Sequence, residues 1–140
     1  SEEKAKELPE EIKLNNVRIL LAEDNMLNAE IAMTLLADAN AYVELAPDGE
    51  KALSMLKRAT DGYYDLIIMD IQMPHMNGYE ATKNIRGLPD GRCRIPIIAM
   101  TANAFEEDRK RAIESGMNGY VTKPIKIEEL ISTIKKILKS

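Results

Sequence analysis

Tryptophan is absent from this sequence, and phenylalanine, cysteine and histidine occur once each, as Phe105, Cys93 and His75. With so few aromatics, the core has to be built from Ile, Leu, Met, Val and Ala. A single cysteine excludes an intrachain disulfide framework and suits a reducing compartment, so a cytoplasmic setting is expected. One Cys and one His are also too few for a zinc site of the usual ligands. No apolar run approaches the roughly 18 residues of a membrane span. No basic, apolar leader of the signal-peptide kind opens the chain. A net charge of −4 argues against bulk electrostatic attraction to nucleic acid.

What is present describes one globular domain: 140 residues, 45% hydrophobic and 30% charged. Residues 1–16, SEEKAKELPEEIKLNN, are mostly charged and read as a leader or linker without a role in chemistry, leaving 17–140 as the domain. Beyond it, short apolar runs alternate with helical patterns. Strands are expected at 17–22, 41–46, 65–70, 95–101 and 119–122. Helices are expected at 28–39, where Ile31, Leu35 and Leu36 recur at helical spacing, and after Asp48, which can cap a helix. Further helices are expected at 79–86 and 105–115, and a last one carries the stripe Ile127, Leu130, Ile131, Ile134 and Leu138. Such alternation means α/β: a parallel sheet covered on both faces, with ligands beyond the carboxyl ends of its strands.

The residues at those ends are Glu23 and Asp24, then Asp70, Thr101 and Lys123. Crowded carboxylates repel, and a hard divalent cation with a taste for oxygen relieves that. Mg²⁺ fits, with Mn²⁺ a substitute. Lys123 offers a compact positive charge and Thr101 a hydroxyl, both suited to phosphoryl oxygens. A carboxylate such as Asp70 can attack a phosphoryl group, and little more than positioning and charge neutralisation is then required.

In order, LLAEDN, IIMDIQMPHMNGYEATKNIR, IIAMTANA and YVTKPI resemble the signatures of the receiver domain of two-component response regulators, most like receivers attached to hybrid sensor histidine kinases. The similarity spans about Val17 to Leu138. It implies a flavodoxin-like (βα)5 three-layer sandwich with a parallel five-stranded sheet of order 2-1-3-4-5. It also implies Asp70 as phosphoacceptor, served by a phosphohistidine of a histidine kinase or histidine phosphotransfer protein. Mg²⁺ would be bound by Asp24, Asp70, the backbone carbonyl of Gln72 and, through water, Glu23. Lys123 would contact a phosphoryl oxygen, and its bond to Pro124 would be cis. Thr101 and Tyr120 would form the switch. The helix at 105–115, the strand at 119–122 and the last helix would form the output surface, and Met26, Asn28 and Ile31 would face the kinase. Such a domain catalyses its own phosphorylation and slow dephosphorylation without being a multi-turnover enzyme. The motif wording favours a piece of a hybrid kinase over a stand-alone regulator.

Competing readings are weaker. A dinucleotide-binding fold needs a glycine-rich turn after strand one, and AEDNMLN has none. A phosphatase working through an aspartyl phosphate needs an acid two residues after the nucleophile, where this chain has Gln72. The alternative that survives is a receiver-like binding module that is never phosphorylated. His75 reads as an exposed loop residue, Cys93 as an incidental thiol, and the loop 87–94 as longer than usual for the family, without a functional account.

Overall fold

The computed structural model describes residues 9–139. Five strands, β1 Arg18–Ala22, β2 Tyr42–Ala46, β3 Leu66–Asp70, β4 Ile97–Thr101 and β5 Gly119–Thr122, form one sheet of order β2-β1-β3-β4-β5. Every pairing is parallel. The connections are α1 Met26–Asp38, α2 Gly49–Arg58, α3 Gly78–Arg86 and α4 Glu106–Ser115, and α5 Ile127–Lys139 closes the fold.

Strand periodicity builds the two faces. Ile19, Leu21, Leu66, Ile68, Ile98 and Met100 point to one side, where Ala32 and Leu36 of α1 and Leu130, Ile131 and Ile134 of α5 cover them. Leu20, Ala22, Ile67, Met69, Ile97 and Ala99 point to the other, against Ala52 and Leu56 of α2, Ala81 and Ile85 of α3 and Ala112 of α4. Burial on both sides explains why β3 and β4 are continuously apolar. The edge strand β2 alternates, leaving Tyr42 and Glu44 exposed.

Element boundaries move by one or two residues for local reasons. α1 starts at Met26 because Asn25 caps it, its side chain accepting from Asn28 N–H at 2.9 Å. Asp48 caps α2 as expected, and Asn77 with Glu80 forms a capping box on α3. β4 begins only at Ile97, after Pro96, which has no N–H for a ladder.

The packing selects among the apolar positions of two helices. On α1 the buried residues are Ala29, Ala32 and Leu36, whereas Ile31 is 48% exposed, as a place on the expected kinase-facing surface requires. On α5 the stripe ends with Ile137 packed on the core, and Leu138 is left exposed. Gly119 leaves room for this: a Cβ there would lie 2.7 Å from Ile137 Cδ1.

The end of the charged leader is part of the packed unit. A 3-10 turn, Glu10–Ile12, lies on α5, where Lys135 Nζ donates to the carbonyls of Glu10 (3.4 Å) and Glu11 (2.7 Å). Leu14 is 3% exposed and its N–H bonds Ala39 O at 2.6 Å. Packing therefore begins ahead of Val17. The long loop is anchored too. It contains a 3-10 turn, Gly91–Arg94, in which Arg92 Nε donates to Leu56 O (3.1 Å) and Ala59 O (3.2 Å) at the end of α2. It lies at the opposite end of the sheet from the strand-end acids.

Leu14→Ala is expected to destabilise the domain by about 2 kcal/mol or more, the range for truncating a buried leucine. Urea unfolding checks this: the midpoint should fall with the slope unchanged, and an unshifted midpoint would show that the leader is a passive tail.

Candidate functional site

The sheet register brings the strand-end groups together. Ala22 pairs with Met69, so Glu23 emerges beside Asp70. Asp70 pairs with Met100 and Thr101 with Thr122, so Thr101 and then Lys123 follow one residue further along their strands. Lys123 N–H bonds Thr101 O at 2.7 Å, continuing the ladder past β5. Lys123 starts two strands from Asp70, about 9–10 Å away at ordinary strand spacing. Its long side chain crosses the exit of β4, and Nζ stands 3.0 Å from Asp70 Oδ2 and 3.0 Å from Glu23 Oε1. The Lys123–Pro124 bond is cis.

Asp70 is 3% exposed and Glu23 only 1%, while Asp24 is open to solvent. Carboxylate oxygens of Glu23, Asp24 and Asp70 all lie within 4.8 Å of one another. Burial first, and the adjacent Asp70 carboxyl next, push Glu23 above the ordinary carboxylate range against the opposing pull of Lys123. For Lys123, burial by itself would lower the ammonium pKa, but Glu23 and Asp70 together hold it above its usual value. One cation thus serves two buried acids, with a third alongside.

Backbone donors position the acids. Gln72 N–H donates to Asp70 Oδ1 at 3.2 Å, and Asn25 N–H to Glu23 Oε2 at 3.3 Å. Buried Glu23 Oε1 receives no donor in hydrogen-bond geometry among the described residues, despite its ion pair. An all-oxygen cluster with surplus negative charge and one under-satisfied oxygen fits a hard divalent cation, and Glu23, Asp24 and Asp70 are the side chains able to hold it.

Thr101 is 3% exposed, and its Oγ1 accepts from Asn103 N–H at 3.3 Å. The Tyr120 hydroxyl donates to Asn103 O. Asn103 therefore joins Thr101 to Tyr120, a role that no sequence signal two residues beyond a strand reveals. Around the mouth, Met26 (63%), Leu27 (67%) and Ile31 (48%) of α1 are exposed. Leu27 escaped the sequence reading, although it neighbours Met26 and Asn28. His75 is exposed in a left-handed turn, φ 67°, in the loop after Asp70.

A family model described as the response regulator receiver domain matches residues 19–135. The chain belongs to that family and is a receiver domain of two-component systems. It is 42% identical over 122 residues to hybrid signal transduction histidine kinase M of Dictyostelium discoideum, covering 86% of this chain and 5% of that protein. It is 36% identical over 157 residues to histidine kinase 1 of Arabidopsis thaliana, covering 90% and 13%. The chain thus spans a small fraction of the length of these relatives. The receiver domain of sensor histidine kinase PA1611 from Pseudomonas aeruginosa, solved with a magnesium ion coordinated in its active site cleft, superposes with a TM-score of 0.79 at 39% identity, covering 89% of this chain and 99% of that one. Among the described residues no helix is long and apolar enough to cross a membrane.

The raised pKa of Glu23 has a defined sign. In the metal-free domain its stabilising contribution is fully present below the unfolded value and is lost as pH rises through the folded one. A divalent cation at these oxygens favours the ionised form and reverses the trend. The gain in Tm from Mg²⁺ is expected to grow as pH rises above the ordinary carboxylate range, and Glu23→Gln to flatten that growth. Melting curves with and without Mg²⁺ test this; a pH-independent gain in the unmutated domain contradicts it.

Proposed function

We propose that this domain is the phosphoacceptor of a two-component phosphorelay, taking a phosphoryl group from a phosphohistidine of a histidine kinase or histidine phosphotransfer protein onto Asp70. The observation that carries the reading is the placement of Asp70: an almost buried carboxylate at the exit of β3, 3.0 Å from the Lys123 ammonium and within the acidic cluster. In the reaction an Asp70 oxygen attacks phosphorus, an O–P bond forms, the P–N bond to the donor imidazole breaks, and the imidazole leaves with the electron pair. Asp24, Asp70 and the Gln72 carbonyl would hold Mg²⁺ directly, and Glu23 would act through water. The bound ion would neutralise charge on the phosphoryl oxygens.

Lys123 contributes the second positive charge. In the resting domain it pairs with both Asp70 and Glu23; once Asp70 carries the phosphoryl group, the ammonium can exchange Asp70 for a phosphoryl oxygen. The phosphoryl group carries about −1.5 to −2 where the carboxylate carried −1, which gives Thr101 a reason to turn its hydroxyl toward the phosphate and give up Asn103 N–H. Tyr120, bonded to Asn103 O, follows into the space vacated. The α4–β5–α5 face, which exposes Phe105 and Ile113, would carry the output. The apolar rim of Met26 and Ile31, with Asn28, would receive the helix presenting the phosphohistidine. A setting within a cytoplasmic hybrid kinase belongs to the same reading.

Asp70→Asn is expected to abolish Mg²⁺-dependent phosphoryl uptake from acetyl phosphate while leaving the fold intact, read by intact-mass spectrometry and circular dichroism. Lys123→Ala should retain part of the uptake but weaken the conformational response, followed by Tyr120 resonances; an undiminished response rules out its role. Ile31→Asp should slow transfer from a phosphorylated phosphotransfer protein by about tenfold or more, the cost of roughly 1.4 kcal/mol at an interface. Uptake from acetyl phosphate should not change. Equal loss with both donors would place Ile31 in the chemistry instead of the docking.

A further inference from the structure

Helix α4 is lightly held. It buries only Ala112 and Ser115, its N-cap Phe105 makes no side-chain capping bond, and Ile113 is 59% exposed. By comparison α5 buries Leu130, Ile131 and Ile134. Little apolar area anchors α4, so its few specific contacts carry much of the weight in setting its position.

One of those contacts leads back to the acceptor. Gly78, at the start of α3, is pressed against the exit of β3: a Cβ there would lie 2.5 Å from Asp70 O and 2.9 Å from Ile71 Cα. Its N–H bonds Ile71 O at 2.9 Å. The first turn of α3 therefore cannot shift independently of the backbone at Asp70. The next residue, Tyr79, is 5% exposed and reaches α4. The Arg111 guanidinium stands over its ring, 4.3 Å from the centroid, and its hydroxyl makes a long bond of 3.4 Å to Asp108 O. Burial first, and the nearby Asp108 carboxylate second, raise the phenols of both Tyr79 and Tyr120.

We propose that Tyr79 and Arg111 form a clasp that holds α4 in its unphosphorylated position, a second connection from the acceptor loop to the output face beside the Thr101–Asn103–Tyr120 chain. Both are positioning residues and touch no reacting atom. The inference rests on the phosphoacceptor reading above. A cation over an aromatic face at an exposed site shifts a two-state equilibrium by about two- to fivefold, so loosening the clasp should raise the population of the activated arrangement by that factor.

The test is heteronuclear NMR of the α4 amides in Mg²⁺, with and without beryllofluoride as the phosphoryl mimic. It uses the unmutated domain, Arg111→Gln, Arg111→Lys and Tyr79→Phe. Arg111 is exposed, so its substitution leaves the core untouched. Without the mimic, Arg111→Gln amides should lie displaced along the line joining the free and beryllofluoride-bound positions, and labelling by acetyl phosphate should quicken about two- to fivefold. Arg111→Lys should restore part of the resting position, and Tyr79→Phe, which keeps the ring, should stay near the unmutated domain. If the unmutated domain responds to beryllofluoride while Arg111→Gln neither moves along the line nor labels faster, the clasp is overturned and the phosphoacceptor reading stands. If the unmutated domain gives no response, both fall together.

Discussion

The site depends on one ammonium placed between two buried carboxylates. Burying an isolated carboxylate is costly, and burying two side by side more so. Lys123 makes the arrangement tenable by standing 3.0 Å from each. It can do so only because β4 lies between β3 and β5 and a lysine is long enough to span it. The reach also fixes what lies beneath the side chain, the exit of β4 with Thr101. The charge that stabilises the resting site, the hydroxyl proposed to respond to phosphate and the proposed acceptor are thus set by the order of three strands.

Rigidity and looseness are distributed to match. Strands β1, β3 and β4 are packed on both faces, so the backbone that presents Glu23, Asp70 and Thr101 has little freedom. The acids are further steadied by amides of their own loops, Gln72 to Asp70 and Asn25 to Glu23. Groups held this way keep their geometry through a reaction. Helix α4, on the proposed output face, buries small residues and is tied by polar and aromatic contacts. Polar ties of that kind rearrange at small cost, whereas an interdigitated apolar face does not.

At the far end of the sheet the molecule is closed by strapping. Arg86 spends its guanidinium on the carbonyls of Gly116, Cys93 and Ile95, and burial lowers its pKa from the usual value. Arg92 does likewise for the end of α2. The loop between α3 and β4 is thereby stitched to its neighbours. The leader from Glu10 to Asn16 closes the adjoining margin through Leu14 and Lys135. These ties leave the end with the acidic cluster as the open one.

Elements dictated by local chemistry were readable from the sequence alone. Continuous apolar runs mark buried parallel strands, Asp48 before a helical pattern marks a cap, and an acid, hydroxyl or lysine at the end of an apolar run marks a crevice residue. Each of these needs only near neighbours along the chain. Periodicity alone could not say that Ile31 would face solvent while Ala29 and Ala32 took the core, because helical spacing admits both faces; only the resemblance, which set Ile31 toward the kinase, pointed outward. Nor could it show that Ile137 takes a place on the core while Leu138 stays exposed, with Gly119 on another element leaving room beside it. The leader looked like a tail because charge dominates it, yet one leucine finds a buried seat. The links of Asn103 to Tyr120 and of Tyr79 to Arg111 join residues 17 and 32 positions apart. Pattern along a chain reports what a residue needs locally; which distant partner meets that need is decided only when the sheet register and helix packing bring the two together.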